Sequence, residues 1–179
     1  MDIQSAQREV RTRFVGGFYG QLVSGTLWLI AASLAAWSTP RAAITTLVVG
    51  GFFIFPVTVL LIRLFEGPRA ASAPNPLNAL GMQVAFVLPF SMPVLLGVGR
   101  YRLEWFLPAL TILLGAHYLP FVFLYGMRMF AVLASLLVAG GVAIVVLGIA
   151  GFSTAAWYTA IVLLIFAFAG RTIVAVDVR

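Results

Sequence analysis

The chain has 179 residues, 63% of them hydrophobic and only 9% charged, with a mean hydropathy of +1.10. A soluble domain is roughly 45–50% apolar and about 25% charged, and a small one is mostly surface that polar side chains must cover. A soluble enzyme, a nucleic-acid-binding domain and a disordered segment are therefore excluded, which leaves an integral membrane protein.

The net charge of +6 comes from eleven basic residues, all arginine, against five acidic ones. They fall between apolar blocks rather than in one stripe, so they read as loop anchors and not as a nucleic-acid surface. Cysteine is absent, which removes disulfides, thiol chemistry and thiolate metal sites.

Residues 1–13 are polar, with Ile3, Ala6, Val10 and Phe14 at helical intervals. This spacing predicts an amphipathic helix on the membrane surface, N-capped by Asp2 or Ser5. The apolar stretch after it is too long for the core of a cleaved signal peptide.

Six apolar blocks follow, near residues 14–37, 42–65, 76–99, 105–125, 129–151 and 154–175. Each is long enough to cross about 30 Å of hydrocarbon as a helix. None shows the in-out alternation of barrel strands. Short connections rich in Gly, Pro, Ser and Asn join them. The expected fold is all-α: one six-helix transmembrane domain over residues 14–179, preceded by the amphipathic segment 1–13.

Arg8, Arg11, Arg13, Arg63, Arg69, Arg128, Arg171 and Arg179 fall on one side of such a bundle, and Arg41, Arg100 and Arg102 on the other. The positive-inside bias then places both termini in the cytoplasm. Trp37, Trp105 and Trp157 fall at the outer interface, where indole rings prefer to lie.

Residues 50–63 read GGFFIFPVTVLLIR and residues 115–128 read GAHYLPFVFLYGMR. Both open on glycine, carry a central proline (Pro56, Pro120) and end on arginine. Three helical-hairpin repeats would produce this pattern; so would the ordinary recurrence of membrane prolines and inside arginines.

Few groups inside the spans can carry chemistry. His117 is the only histidine and lies near the bilayer midplane, where an ionisable side chain is costly and is read first as a functional residue. Tyr118 and Tyr125 stand beside it. As an alternative, a neutral imidazole bonded to a neighbouring helix is structural glue. Pro89 and Pro93 cannot both sit in an unbroken helix, so the third span should kink and free carbonyls for Ser91, water, a neighbouring helix or a ligand. With Pro56 and Pro120, three helices would bend at similar depth, where transporters build their sites.

Gln21, Ser24, Thr26, Thr58, Gln83, Thr111, Tyr158 and Thr159 are polar groups within the spans. Most are expected to join helices, with Gln83 the strongest site candidate. The candidate ligand site is thus His117, Tyr118, Gln83, Ser91, Pro89, Pro93, Pro120 and Pro56. Arg100 with Arg102, or Arg63 with Arg69, suits an anionic lipid headgroup. Gly16, Gly20 and Ser24 form a small-residue face for close helix approach, within the fold first and between protomers as the alternative, so a homo-oligomer stays open beside membrane lipids as a partner.

No Asp or Glu lies within a span, which argues against a carboxylate-driven pump. No Walker loop, dinucleotide fingerprint or HExxH motif occurs. No catalytic residue, cofactor or metal is assigned.

Residues 25–54, with Leu27, Ala31, Pro40, Leu47 and Gly50-Gly51, are similar to the hairpin of HdeD-type acid-resistance membrane proteins, which are six-helix bacterial proteins. The Pro89/Pro93 helix and residues 115–121, GAHYLPF, depart from that pattern. GAHYLPF itself resembles a stretch of uncharacterised six-helix bacterial proteins. Together the resemblances imply a bacterial inner-membrane setting and no known activity.

The leading expectation is a small transporter, channel or ligand-binding membrane protein with an uncharged midplane site. The alternatives are an accessory protein acting through helix–helix contacts and, third, a lipid-modifying membrane enzyme.

Overall fold

A computed structural model describes residues 2–67, 75–149 and 151–177. Arg69 and Arg179 lie outside the described residues. Helix α1 (Ile3–Arg13) begins at Asp2, whose carboxylate accepts the Ser5 N–H and the Ser5 hydroxyl, each at 2.8 Å. Both bonds favour the ionised acid and hold the Asp2 carboxyl below its ordinary value. A lowered pKa in the folded state means the cap contributes at neutral pH and is lost as pH falls through that lowered value. Acidification below the ordinary carboxylate range is therefore expected to fray the first turn of α1. Amide exchange at Ser5 and Ala6, corrected for intrinsic rates, checks this. The protection should fall with pH in the wild type and be weak and flat in Asp2→Ala.

Ala6 and Val10 are buried, so α1 lies across one end of the bundle instead of extending from it. Gln7 Nε2 donates to the Phe123 carbonyl at 2.6 Å. Asn75 Nδ2 donates to the Ala6 carbonyl at 3.0 Å and to a Glu9 carboxylate oxygen at 3.3 Å. Val15, Gly16 and Gly17 then take positive φ values of 50°, 60° and 83° and turn the chain into the first span. A Cβ on Gly16 would lie 2.9 Å from the Gly170 carbonyl oxygen, so glycine is required there for space as well as for backbone.

Helix α2 (Phe18–Trp37) is the first span. The second is a bent pair, α3 (Pro40–Gly51) and α4 (Ile54–Glu66), meeting at 58°. Thr39 caps α3 by accepting the Ala42 N–H at 3.1 Å. The bend falls at Phe52-Phe53, where Pro56 supplies no N–H for the Phe52 carbonyl and Gly50-Gly51 weaken the preceding turn. The third span, α5 (Leu77–Ala85) plus α6 (Val87–Tyr101), breaks at Phe86, because Pro89 has no N–H for the Ala85 carbonyl. Helices α7 (Phe106–Tyr125), α8 (Met129–Val146) and α9 (Thr154–Asp177) complete the bundle.

Among the described residues five segments are long and apolar enough to cross a membrane, and the bent α3–α4 pair makes a sixth when its two helices count as one span. The expected helical membrane bundle is thus present, block for block. Block five ends early, at Val146, before Gly148 turns with φ of +60°. The repeat motif does not fold alike in its two copies: the chain bends before Pro56, whereas α7 runs unbroken through Pro120.

The two most extensive seams join α2 to α9 and α7 to α8. Helices α8 and α9 link these pairs into one core, α3 and α4 pack on α2, and α5 and α6 pack on α7. Tyr19 donates to Glu66 at 2.9 Å, and the Arg171 guanidinium lies 4.7 Å from the Phe18 ring centroid. These contacts gather Arg8, Arg11, Arg13, Arg63, Arg128 and Arg171 at the α1 end. The opposite end holds Arg41, Arg100 and Arg102, with Trp37 packed edge-on to Trp157 at 5.9 Å.

Candidate functional site

Helix α7 presents Leu107, Leu110, Thr111, Leu114, Gly115, Tyr118 and Tyr125 to the core. Where this face meets α8, three rings cluster around the fully buried Phe130. Tyr125 lies 5.0 Å, Phe121 5.6 Å and Tyr118 6.1 Å from it, between centroids. His117 sits at the edge of this cluster, 5.2 Å from Phe121 and 5.7 Å from Tyr118. Its other neighbour is the backbone carbonyl of Val84, two residues before the Phe86 break. His117 Nδ1 is buried and has no partner among the described residues.

The other expected site residues scatter. Gln83 is exposed on the outer surface of the third span, as are Pro93 there and Pro56 on the second. Pro89, Pro120 and Ser91 are half-buried. The Ser91 hydroxyl donates to the Val87 carbonyl of its own helix at 2.7 Å. Because the second span packs on α2 and the third on α7, Pro56 does not join His117. Only His117, Tyr118 and the Pro89 break come together, and the Gly16–Gly20–Ser24 face divides among partners. Gly16 meets α9, while the nearest side chain to Gly20 is Thr58 of α4.

The amide that does enter the core is Gln21. It is 2% exposed, and neither its Nε2 nor its Oε1 has a partner among the described residues. Thr58 Oγ1, 6% exposed as a residue, is in the same condition. A signal for Gln21 was available: it lies four residues after Gly17 and four before Gly25, on a helix stripe whose small flanks allow close approach and which continues to the buried Trp28 and Ala32. A helix buries the stripe that lets neighbours approach closely, so its amide goes inward. Gln83 has no such flanks.

The buried Thr111 and Thr159 and the half-buried Tyr158 are committed to packing. Thr111 and Thr159 bond across α7 and α9 at 2.8 Å, and Tyr158 donates to the Leu136 carbonyl at 2.6 Å. Among the proposed headgroup arginines, Arg102 is 3.7 Å from Glu104 and lies over Trp105, while Arg100 and Arg63 are exposed. No group of three His, Cys, Asp or Glu that could hold a metal occurs among the described residues.

A model of a family of unknown function, DUF7010, matches residues 3–173. The chain belongs to this family. The match runs from α1 through most of α9, so α1 and the helices of the bundle are all part of the shared unit. It agrees with the resemblance to an uncharacterised family, and nothing found supports the HdeD-type likeness. No curated protein and no solved structure matches the chain. A DUF7010 assignment transfers no role to any residue, so the chemistry of the interior must carry the functional reading.

Proposed function

We propose that this protein lies in a bacterial inner membrane with both termini cytoplasmic, and that it binds a small uncharged polar solute within the bundle and passes it across. The orientation rests on the arginine excess at the α1 end. The single observation that carries the activity is a set of four buried polar atoms on Gln21, Thr58 and His117 that have no partner among the described residues. Within hydrocarbon such atoms cost several kcal/mol each unless water or a ligand bonds to them. Among the described residues no carboxylate or guanidinium is buried, so the solute the interior suits is neutral.

The test is flux of neutral amides and polyols into proteoliposomes. Gln21→Leu and Thr58→Val are each expected to lower flux about tenfold or more while leaving the melting temperature unchanged or raised. Removing an unsatisfied buried group relieves a penalty of about 1–3 kcal/mol. A structural role for these side chains predicts the reverse: lower stability. Equal flux in wild type and variants for every solute would sink the transport reading.

A second reading, an accessory protein acting through helix contacts, is favoured by one observation. Only 11% of the third span's most apolar window is buried, against 33–44% in the first, fourth, fifth and sixth spans. Site-directed cross-linking from Gly97, which has open space around it, distinguishes a protein neighbour from lipid.

A further inference from the structure

Helix α5 is loosely held along its length. Only Leu77 and Val84 of it are buried, and their spacing puts both on one face. Between them Gly81 meets α7 at ordinary contact distance, since a Cβ there would stand 3.8 Å from Leu124. The α7–α8 seam is closer by far: a Cβ at Gly115 would lie 2.9 Å from the Ala134 carbonyl oxygen. On the other side of α5, Asn78, Ala79, Met82 and Gln83 are exposed. Segments with so few buried contacts open locally at a lower free energy than the fold as a whole.

A polar contact marks each end of α5. At the C-terminal end the Val84 carbonyl lies against the His117 ring. The chain breaks just beyond, at Phe86, because Pro89 offers no N–H to the Ala85 carbonyl. At the N-terminal end stands Asn75, whose side chain is buried. Its Oδ1 accepts the Leu77 N–H at 2.9 Å and so caps α5. Its Nδ2 donates to the Ala6 carbonyl at 3.0 Å and to Glu9 at 3.3 Å. Helix α1 is in turn fixed to the end of α7, where Gln7 donates to the Phe123 carbonyl. It therefore runs as a strap across α5 and α7.

We propose that α5 is a gate over His117, hinged at Phe86 and latched to α1 by Asn75. Residues at element ends absorb the backbone change of such a hinge. Release of Asn75 lets α5 swing from α7 and withdraws the Val84 carbonyl from the imidazole. The ring exposed in this way also carries Nδ1, which has no partner among the described residues. The gate deepens the solute reading and rests on it for its purpose, by giving His117 an entrance at the α1 end; the motion itself is tested without transport.

His117 is the only histidine, so its carboethoxylation by diethyl pyrocarbonate reports on a single ring. The full chain is labelled in nanodiscs and read by mass spectrometry. Asn75→Ala is expected to speed labelling about tenfold, the effect of one or two net hydrogen bonds on an opening equilibrium. Asn75→Asp keeps the acceptor for Leu77 but loses the donor to Ala6 and Glu9, and should speed it to a similar degree. A rise in Asn75→Ala alone would mean a frayed helix end and overturn the latch. The chain has no cysteine, so a Glu9→Cys/Asn75→Cys pair can be joined cleanly by dibromobimane. Joining should return labelling to the wild-type rate, and fast labelling that persists would overturn the gate. If the Asn75 variants fail to fold, wild-type amide exchange decides: α5 should exchange faster than α7, and equal protection overturns the gate. Solute flux separates the two readings. Faster labelling with unchanged flux keeps the gate and refutes its use by the solute. Unchanged labelling overturns the gate and leaves the solute reading to the Gln21 and Thr58 variants.

Discussion

Gly141→Val is expected to be among the most damaging single substitutions in this chain, costing about 3 kcal/mol of stability. A Cβ at Gly141 would lie 2.6 Å from Ile112 Cγ1 and 2.9 Å from the Pro108 carbonyl oxygen. On the facing helix, a Cβ at Gly115 would lie 2.8 Å from Val138 Cγ2 and 2.9 Å from the Ala134 carbonyl oxygen. The two glycines thus bring α7 and α8 together backbone to backbone, at one of the two most extensive seams of the bundle. Overpacking costs about 1–3 kcal/mol when side chains can shift. Here part of the obstacle is main chain, so the helices must separate and the upper end applies. Unfolding in mixed micelles measures it. Gly97→Ala, with nothing within 4 Å of its Cβ position, is the control and should change stability by no more than about 0.5 kcal/mol. Matching losses in the two variants would refute the close seam.

Phe130→Ala should cost about 2–3 kcal/mol by a different route. Its ring is fully buried against Tyr118, Phe121 and Tyr125, and its Cζ lies 3.1 Å from where a Cβ on Gly17 would stand. In a soluble core the loss would be about 3–5 kcal/mol, part of it transfer from water. In a bilayer the unfolded reference is also apolar, which removes most of the transfer contribution and leaves lost dispersion and ring contacts. Phe130→Leu should recover over half of the loss. A Phe130→Ala protein as stable as wild type would show that the cluster does not hold α7, α8 and the first turn of α2 together.

These two sites mark how far a reading of residues alone reaches. Gly140 and Gly141 are adjacent in sequence, yet only Gly141 makes the α7 contact. Gly140 faces the Tyr158 ring, and Gly148 belongs to the turn after α8. Asp2 was legible as a cap because capping is local: an acid three residues before a helical N–H. The break before Pro89 was legible for the same reason, since a missing N–H acts on its own helix. The continuity of α7 through Pro120 was not legible, because a proline's own helix does not show what packs along it, and here the α8 seam does. Gln83 and Gln21 are chemically the same side chain, and only the neighbours decide that one faces outward and the other inward.

Sequence alone therefore determined the class, the approximate places of the apolar spans, the sorting of the described arginines between the two ends and the N-terminal helix. Those properties follow from sums along the chain: enough consecutive apolar residues for a bilayer, and charges that stay out of it. Tertiary structure alone decided which stripe of each helix faces protein, which polar side chains are buried without partners among the described residues, and that α1 ties α5 to the end of α7. The reason is that lipid and protein interior are about equally apolar to a leucine-rich helix. Its sequence carries little signal for which way it turns, and shape complementarity at glycines and rings makes the choice.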